Sequence, residues 1–204
     1  MMGDEIGITL LRHGRSRADD EHVHEGRYDS PLTEVGRAQA EKRGNDFNVQ
    51  GLGYKLIIAS PLRRAQETAR IISKCLGVPV ETDMDWAEMD NGLLAGLSFD
   101  EAATRYPRPS FRNPYEPLGV NGESEWSLYN RAGHAVEKIV LRGPGQYLVV
   151  AHGGILNAAL RAIFGAVPWG NNQGTTFSFR DLGYVRLIYI PKEHRWIVEE
   201  FRPS

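Results

Sequence analysis

Ile6-Gly-Ile-Thr-Leu-Leu-Arg-His-Gly14 decides the reading of this chain: an apolar run, Ile6 to Leu11, stops at Arg12-His13-Gly14. A short apolar run bounded by glycine is predicted to be a buried strand. The pattern returns twice. Lys55-Leu-Ile-Ile-Ala59 leads into Ser60-Pro61, and Gln146 to Ala151 leads into His152-Gly153-Gly154. Helical patterns fill the intervals. Thr33 to Asn48 reads as a helix with Thr33 as N-cap. Ser60 and Pro61 are expected as N-cap and first residue of a second helix, whose Leu62, Ala65, Ala69, Ile72 and Leu76 recur at helical spacing. Gly77-Val-Pro79 stops it.

Farther along, a weak strand is expected near Val80, a short helix from Phe99 to Tyr106, and a long one from Glu123 to Leu141. Residues 107–122 hold four prolines and two glycines and are predicted to be an ordered loop. A helix is expected from about Ile155 to Phe164. Thr175 to Phe179, Val185 to Ile190 and Trp196 to Phe201 read as strands of an antiparallel meander at one side of the sheet. Strands alternating with helices predict an α/β fold with a largely parallel sheet, one domain over residues 1–204.

The 204 residues are 41% hydrophobic and 25% charged, with formal net charge −2. That balance is globular, and it provides no global basic field for nucleic acid or an anionic bilayer. An anion site must therefore be built locally. Cys75 is the only cysteine, so no internal disulfide forms, and it is expected to be a packing residue. The N-terminal apolar run is too short for a signal peptide or membrane span. A cytoplasmic location is the expectation.

Ligands of parallel α/β sheets gather at the carboxyl ends of strands. Arg12-His13-Gly14, Ser60 to Arg64 and His152-Gly153-Gly154 each stand where a predicted strand runs out. Arginine is always charged, and its planar fork matches two phosphate oxygens. Helix N-termini after Ser60 and His152 are expected to add backbone donors for an anion. Two histidines beside such arginines point to phosphoryl chemistry. There is no P-loop lysine motif for a nucleotide-driven enzyme. A structural cap or metal ligand is the plainer reading of either histidine alone, but His22, His24, His134 and His194 do not group with them as a metal set would.

Leu11-Arg12-His13-Gly14, Gly26-Arg-Tyr-Asp-Ser-Pro-Leu-Thr33, Ser60-Pro-Leu-Arg-Arg64-Ala65, Glu88 with Gly92 and Gly96, and Ala151-His152-Gly153-Gly154 together resemble the histidine phosphatase superfamily, the phosphoglycerate mutase-like proteins. The likeness is collinear over most of the chain. It implies a three-layer α/β/α sandwich with a mostly parallel mixed sheet. It also implies a metal- and cofactor-free hydrolysis of phosphate monoesters through a phosphohistidine on His13. Arg12 and Arg64 would hold the equatorial oxygens, and His152 would donate to the transferring group. Glu88 would protonate the leaving oxygen. Ser16, Asp19, Gly26, Arg27 and Gly153 would complete the phosphate and substrate contacts. Arg64 is chosen over Arg63 because the family arginine directly precedes the alanine, here Ala65.

Asp19 departs from the family, whose asparagine there donates to phosphate; an ionised carboxylate would repel the substrate unless Arg15, Arg17 or Arg27 neutralises it. The short segment before His152, the His-Gly-Gly motif and Asn91 favour a phosphatase over a mutase. A phosphoglycerate mutase and a non-catalytic phosphate-binding domain are the alternatives. The expected partner is a small phosphorylated substrate, without nucleic acid or membrane; a homodimer stays open.

Overall fold

The computed structural model describes residues 4–204. Strands β1 (Ile6–Arg12), β2 (Leu56–Ala59), β3 (Val80–Thr82), β4 (Gly145–Ala151), β5 (Tyr184–Ile190) and β6 (Arg195–Arg202) form one sheet in the order β3-β2-β4-β1-β5-β6. The first four in that order are parallel, and β5 and β6 run as an antiparallel edge. The central strands are apolar on both faces because helices cover both. Helices α2 (Glu34–Val49) and α3 (Arg63–Leu76) bury Phe47, Ala65, Ala69 and Ile72 against Leu11, Ile57, Leu148 and Val150. On the other face, α5 (Glu125–Val140) and α6 (Gly153–Phe164) bury Leu128, Ala132, Ile139 and Ile155 against Ile6, Ile8, Leu10 and Val149. This is an α/β/α sandwich with a mixed, mostly parallel sheet. Truncating a fully buried residue such as Leu10 to alanine is expected to cost about 2–5 kcal/mol.

The chain steps outward from β1 through β2 to β3, then returns to lay β4 between β2 and β1. That reversal sends α2 and α6 to opposite faces and opens a crevice at the carboxyl ends of β1 and β4. Two short helices lie outside the layers: α1 (Arg17–Glu21), which the sequence patterns did not predict, and α4 (Phe99–Arg105).

Three expectations are corrected. The helix after β2 starts at Arg63 with Leu62 as N-cap, not at Pro61. Ser60 lies three residues before that start, where its hydroxyl accepts from Leu62 N (3.3 Å) and stands 2.6 Å from Nε2 of His152. Thr175 to Phe179 forms no strand, so the edge is a two-stranded hairpin. Both backbone groups of Phe177 are taken by one side chain instead: Phe177 N donates to Asn157 Oδ1 (2.7 Å) and Asn157 Nδ2 donates to Phe177 O (3.0 Å). Finally, α6 begins two residues early, at Gly153, with His152 in the N-cap position.

Candidate active site

Backbone pairing runs past the strand ends and brings the three polar clusters together. Arg12 sits opposite Ala151 in the β1–β4 register, and His13 N donates to Ala151 O (3.0 Å). Ser60 N likewise donates to Val150 O (3.0 Å). His13, Ser60 and His152 therefore start from adjacent points on one rim. The imidazole rings of His13 and His152 lie 5.0 Å apart, and both residues are buried.

The protonation of His13 follows from its neighbours. Nδ1 lies 2.7 Å from the carbonyl of Gly14, which can only accept, so Nδ1 carries the hydrogen. The Nε2 lone pair is then free to accept from Nε of Arg64 (3.1 Å). Burial, then Arg64, then Arg12 hold the His13 pKa well below that of an ordinary histidine. The ring is neutral, and its basic nitrogen faces the crevice cations. His152 is held low in the same way, by burial first and Arg64 second. Both rings are therefore neutral. Ser60 Oγ accepts from Leu62 N (3.3 Å), which leaves its one hydrogen for His152 Nε2. Nδ1 of His152 is buried without a partner.

Arg64 is fully buried. Besides His13, it donates from Nη1 to Tyr28 O and from Nη2 to Gly26 O, each at 2.8 Å. Arg63, one residue earlier, is 58% exposed and pairs with Glu67. Gly26 sits at φ +47°, and a side chain there would collide with Asn91, so glycine alone suits this turn. Arg12 lies at the rim between Asp19 and Asp181, 3.5 Å from each, and donates to Phe179 O. Asp19 Oδ2 accepts from Ser16 N (2.7 Å). Arg27 stands outside, paired with Asp90.

Glu88 reaches the crevice from the loop between β3 and α4. Its Oε1 accepts from Met89 N (2.8 Å) and Ile155 N (3.0 Å), and its Oε2 from Gly154 N (2.9 Å). Two donors of the α6 N-terminus, Gly154 N and Ile155 N, are thus taken by a protein carboxylate rather than left for an anion. At α3, Arg63 N is likewise taken by Asp29 (2.6 Å). A Cβ on Gly154 would strike the Glu88 carboxyl, which explains the small residue after Gly153. Arg131, on α5, anchors the loop: it donates to the carbonyls of Asp85 (2.9 Å) and Ala87 (2.7 Å) and pairs with Glu123. A cleft beside Glu88 is lined by Met89, Glu125, Tyr129, Asn157 and Arg161.

Sequence reasoning missed Glu25. Its carboxyl faces the heart of the crevice, with Oε2 3.8 Å from His13 Nε2 and Oε1 3.6 Å from Arg64 Nε. Asp181 and Arg131 were also not singled out, and Ser60 was read as a helix cap at the head of the second cluster, not as a partner of His152. Glu25 does directly precede the Gly26 motif, and that adjacency was the one available signal.

A basic imidazole nitrogen, two guanidinium groups, a second imidazole and a carboxyl on one rim form an arrangement suited to phosphoryl transfer. Residues 8–198 match the family model described as histidine phosphatase superfamily (branch 1). The chain belongs to that superfamily. It is 31% identical to a Bacillus subtilis protein named uncharacterized phosphatase PhoE over 79% of both chains. It is 34% identical to the 2,3-bisphosphoglycerate-dependent phosphoglycerate mutase of Nitrobacter winogradskyi, over 76% of this chain and 80% of that one. Among solved structures, Bacillus stearothermophilus YhfR superposes with a TM-score of 0.83 at 25% identity, covering 98% of this chain and 97% of that one. Both phosphatases and mutases are therefore relatives of this histidine phosphatase superfamily member.

Proposed function

We propose that this chain hydrolyses small phosphate monoesters in the cytoplasm through a phosphohistidine on His13, without a metal ion. The observation that carries the reading is the buried His13 ring, with its hydrogen fixed on Nδ1 by Gly14 and its Nε2 lone pair held against the buried Arg64 guanidinium. Nε2 attacks phosphorus in line, and the alcohol leaves on the far side; water then takes the phosphoryl group from His13. Covalent catalysis divides one displacement into two easier ones.

Before attack, Arg64 Nε must give up its bond to Nε2. It is then free to bind a phosphoryl oxygen, while its two Nη bonds to backbone keep the guanidinium in place. Arg12 contributes the second cation, and Nδ1 of His152 supplies a neutral N–H to another oxygen. Glu88 takes up a proton as the phosphate dianion binds beside it, gives it to the departing alkoxide, and later takes one from the attacking water. Its Oε2 accepts one backbone bond against two at Oε1, so Oε2 is the oxygen with room for that proton. Ser16, Gly26 and Gly153 shape the pocket, and Arg27 stands at its mouth.

Hydrolysis is favoured over mutase transfer because the segment before His152 is short and the motif is His-Gly-Gly. The test is a phosphate-release screen over a panel of phosphorylated metabolites in EDTA. Turnover that survives chelation and vanishes in His13→Ala supports the proposal. Turnover that persists in that variant, or transfer between phosphoglycerates without net release, overturns it.

A further inference from the structure

A carboxylate is the wrong charge for a phosphate pocket, yet Glu25 stands where a transferring phosphoryl group must sit. At the point of attack nucleophile and phosphorus are about 3–3.5 Å apart, and the leaving oxygen lies beyond phosphorus. An oxygen 3.8 Å from Nε2 is within hydrogen-bond reach of the equatorial oxygens of a phosphoryl group seated there. With Glu88 proposed as the leaving-group acid, Glu25 is assigned to the oxygens that carry the charge.

Hydrogen counting indicates which form Glu25 takes. Ser16 Oγ lies 2.5 Å from Glu25 Oε1 and 3.0 Å from Asp19 Oδ2, but a hydroxyl has one hydrogen and cannot donate to both. One contact needs its hydrogen from a carboxyl. Asp19 Oδ2 already accepts from Ser16 N and Asp19 Oδ1 faces Arg12, as an ionised group would. The hydrogen then belongs to Glu25. Burial acts in the same direction: it raises the Glu25 pKa above the usual carboxylate range, opposed by Arg64 and Ser16.

We propose that Glu25 is a specificity-determining ligand of the phosphoryl group, acting as a neutral carboxyl that donates its hydrogen to an equatorial phosphoryl oxygen. This rests on the phosphatase reading of the same pocket. The proton balance is simple. A protonated enzyme binds a dianion with no exchange, and the hydrogen turns from Ser16 to the phosphoryl oxygen. An enzyme that has lost the proton to solvent must take one back when the dianion binds. Affinity for a dianion then falls tenfold for each pH unit above the Glu25 pKa. The pocket is thereby matched to one proton shared between carboxyl and phosphoryl group.

The charged and titratable groups facing Glu25 are His13 and Arg12 from the end of β1, Asp19 from α1 and Arg64 from α3, with His152 behind His13. All are retained in Glu25→Gln, which is isosteric and offers a fixed N–H donor. The probe is phenylphosphonate, dianionic at alkaline pH, with no phosphoryl hydrogen and no hydrolysable bond. Titration calorimetry in buffers of different ionisation enthalpy counts protons between about pH 6 and 9, with the probe's own release near its second ionisation, about 6 for phosphoryl groups, subtracted at the acid end. In the wild type, uptake is expected to rise toward one proton per phosphonate as affinity falls. In Glu25→Gln that uptake is absent, and affinity is higher at the alkaline end. Uptake unchanged in the variant assigns the proton to another group and overturns the inference, as does a wild type with no uptake at any pH. Because nothing is turned over, a failed His13→Ala control would refute the mechanism separately. Failure of the wild type to bind phenylphosphonate would overturn the pocket assignment and this inference together.

Discussion

Replacing Glu88 with glutamine tests the leaving-group acid, and the structure dictates how the result must be read. The carboxyl accepts three backbone N–H bonds: two at Oε1, from Met89 and Ile155, and one at Oε2, from Gly154. An amide can keep its oxygen only on one side. Its better orientation places oxygen toward Met89 and Ile155 and turns the NH₂ group against the N–H of Gly154. One donor at the α6 N-terminus is then left unpaired, which costs about 1–3 kcal/mol. The lost negative charge removes a further 0.3–1 kcal/mol, roughly, of favourable interaction with the helix end. For a chain of this size, about 2 kcal/mol corresponds to a Tm fall of roughly 4–8 °C.

The catalytic effect is separable from that loss if activity is read well below the lowered Tm. A positioned acid contributes roughly 10²–10⁴-fold to expulsion of an alkoxide. A p-nitrophenolate needs almost no such help. Glu88→Gln is therefore expected to slow an alkyl phosphate by that factor and p-nitrophenyl phosphate by less than about tenfold. Thermal melting and both steady-state rates check it. Equal losses on the two substrates would refute the acid role. An unchanged Tm would refute the hydrogen-bond reading of the helix end.

Asp19→Asn is expected to preserve or raise activity on aryl phosphates. The amide oxygen can still accept from Ser16 N, and losing a partly exposed pair with Arg12 costs no more than about 1 kcal/mol; a severe rise in KM would show that Asp19 has a function of its own. Arg64→Lys is expected to lose more than about 100-fold in kcat/KM and about 3 kcal/mol of stability, because a point charge cannot serve Tyr28 O, Gly26 O and the His13 site together. Arg63→Lys, measured beside it, is expected to change neither. Acid should destabilise the protein through its buried histidines. Their folded pKa values lie well below 6.5, so below about pH 6.5 the unfolded chain binds protons that the folded one refuses. Stability falls by about 1.4 kcal/mol per histidine for each tenfold rise in proton concentration until the folded pKa is reached. Glu25, shifted upward, opposes part of this as it takes its own proton. Chemical denaturation between pH 7 and 5.5 should show a shallower acid loss in a His13→Gln, His152→Gln double variant; equal slopes would sink the assignment.

The fold was legible wherever a residue's fate depends on its near neighbours. Ile6, Ile8 and Leu10 pack on one face and Leu11 on the other, so a continuous apolar run marked a strand covered on both sides. Thr33 caps α2 by accepting from Gly36 N, as a threonine before a helix should. Where reading failed, a distant partner had claimed the group. Ser60 is a good N-cap residue by type, but the helix starts at Arg63 and the Ser60 hydroxyl also serves His152, 92 positions away. Phe177 belongs to an apolar run by type, but Asn157, on α6, takes both of its backbone groups. Periodicity carries no record of such pairings.

The same division runs through the site. Arg12, His13, Arg64 and His152 stood out because each ends a strand or opens a helix, positions that spacing can locate. What surrounds them did not stand out, since it lies in loops whose geometry no short-range pattern dictates. Asp19 and Asp181 flank one arginine and Glu25 lies near the other. In the folded pocket these acids offset much of the positive charge that the motif alone advertises. With Glu25 ionised, two guanidinium groups face three carboxylates, and a phosphate dianion would meet net negative charge. With Glu25 protonated the remaining charges cancel, and that repulsion is gone. Phosphate affinity therefore turns on the protonation of one buried carboxyl as much as on the arginines, and only the fold brings the two within reach of each other.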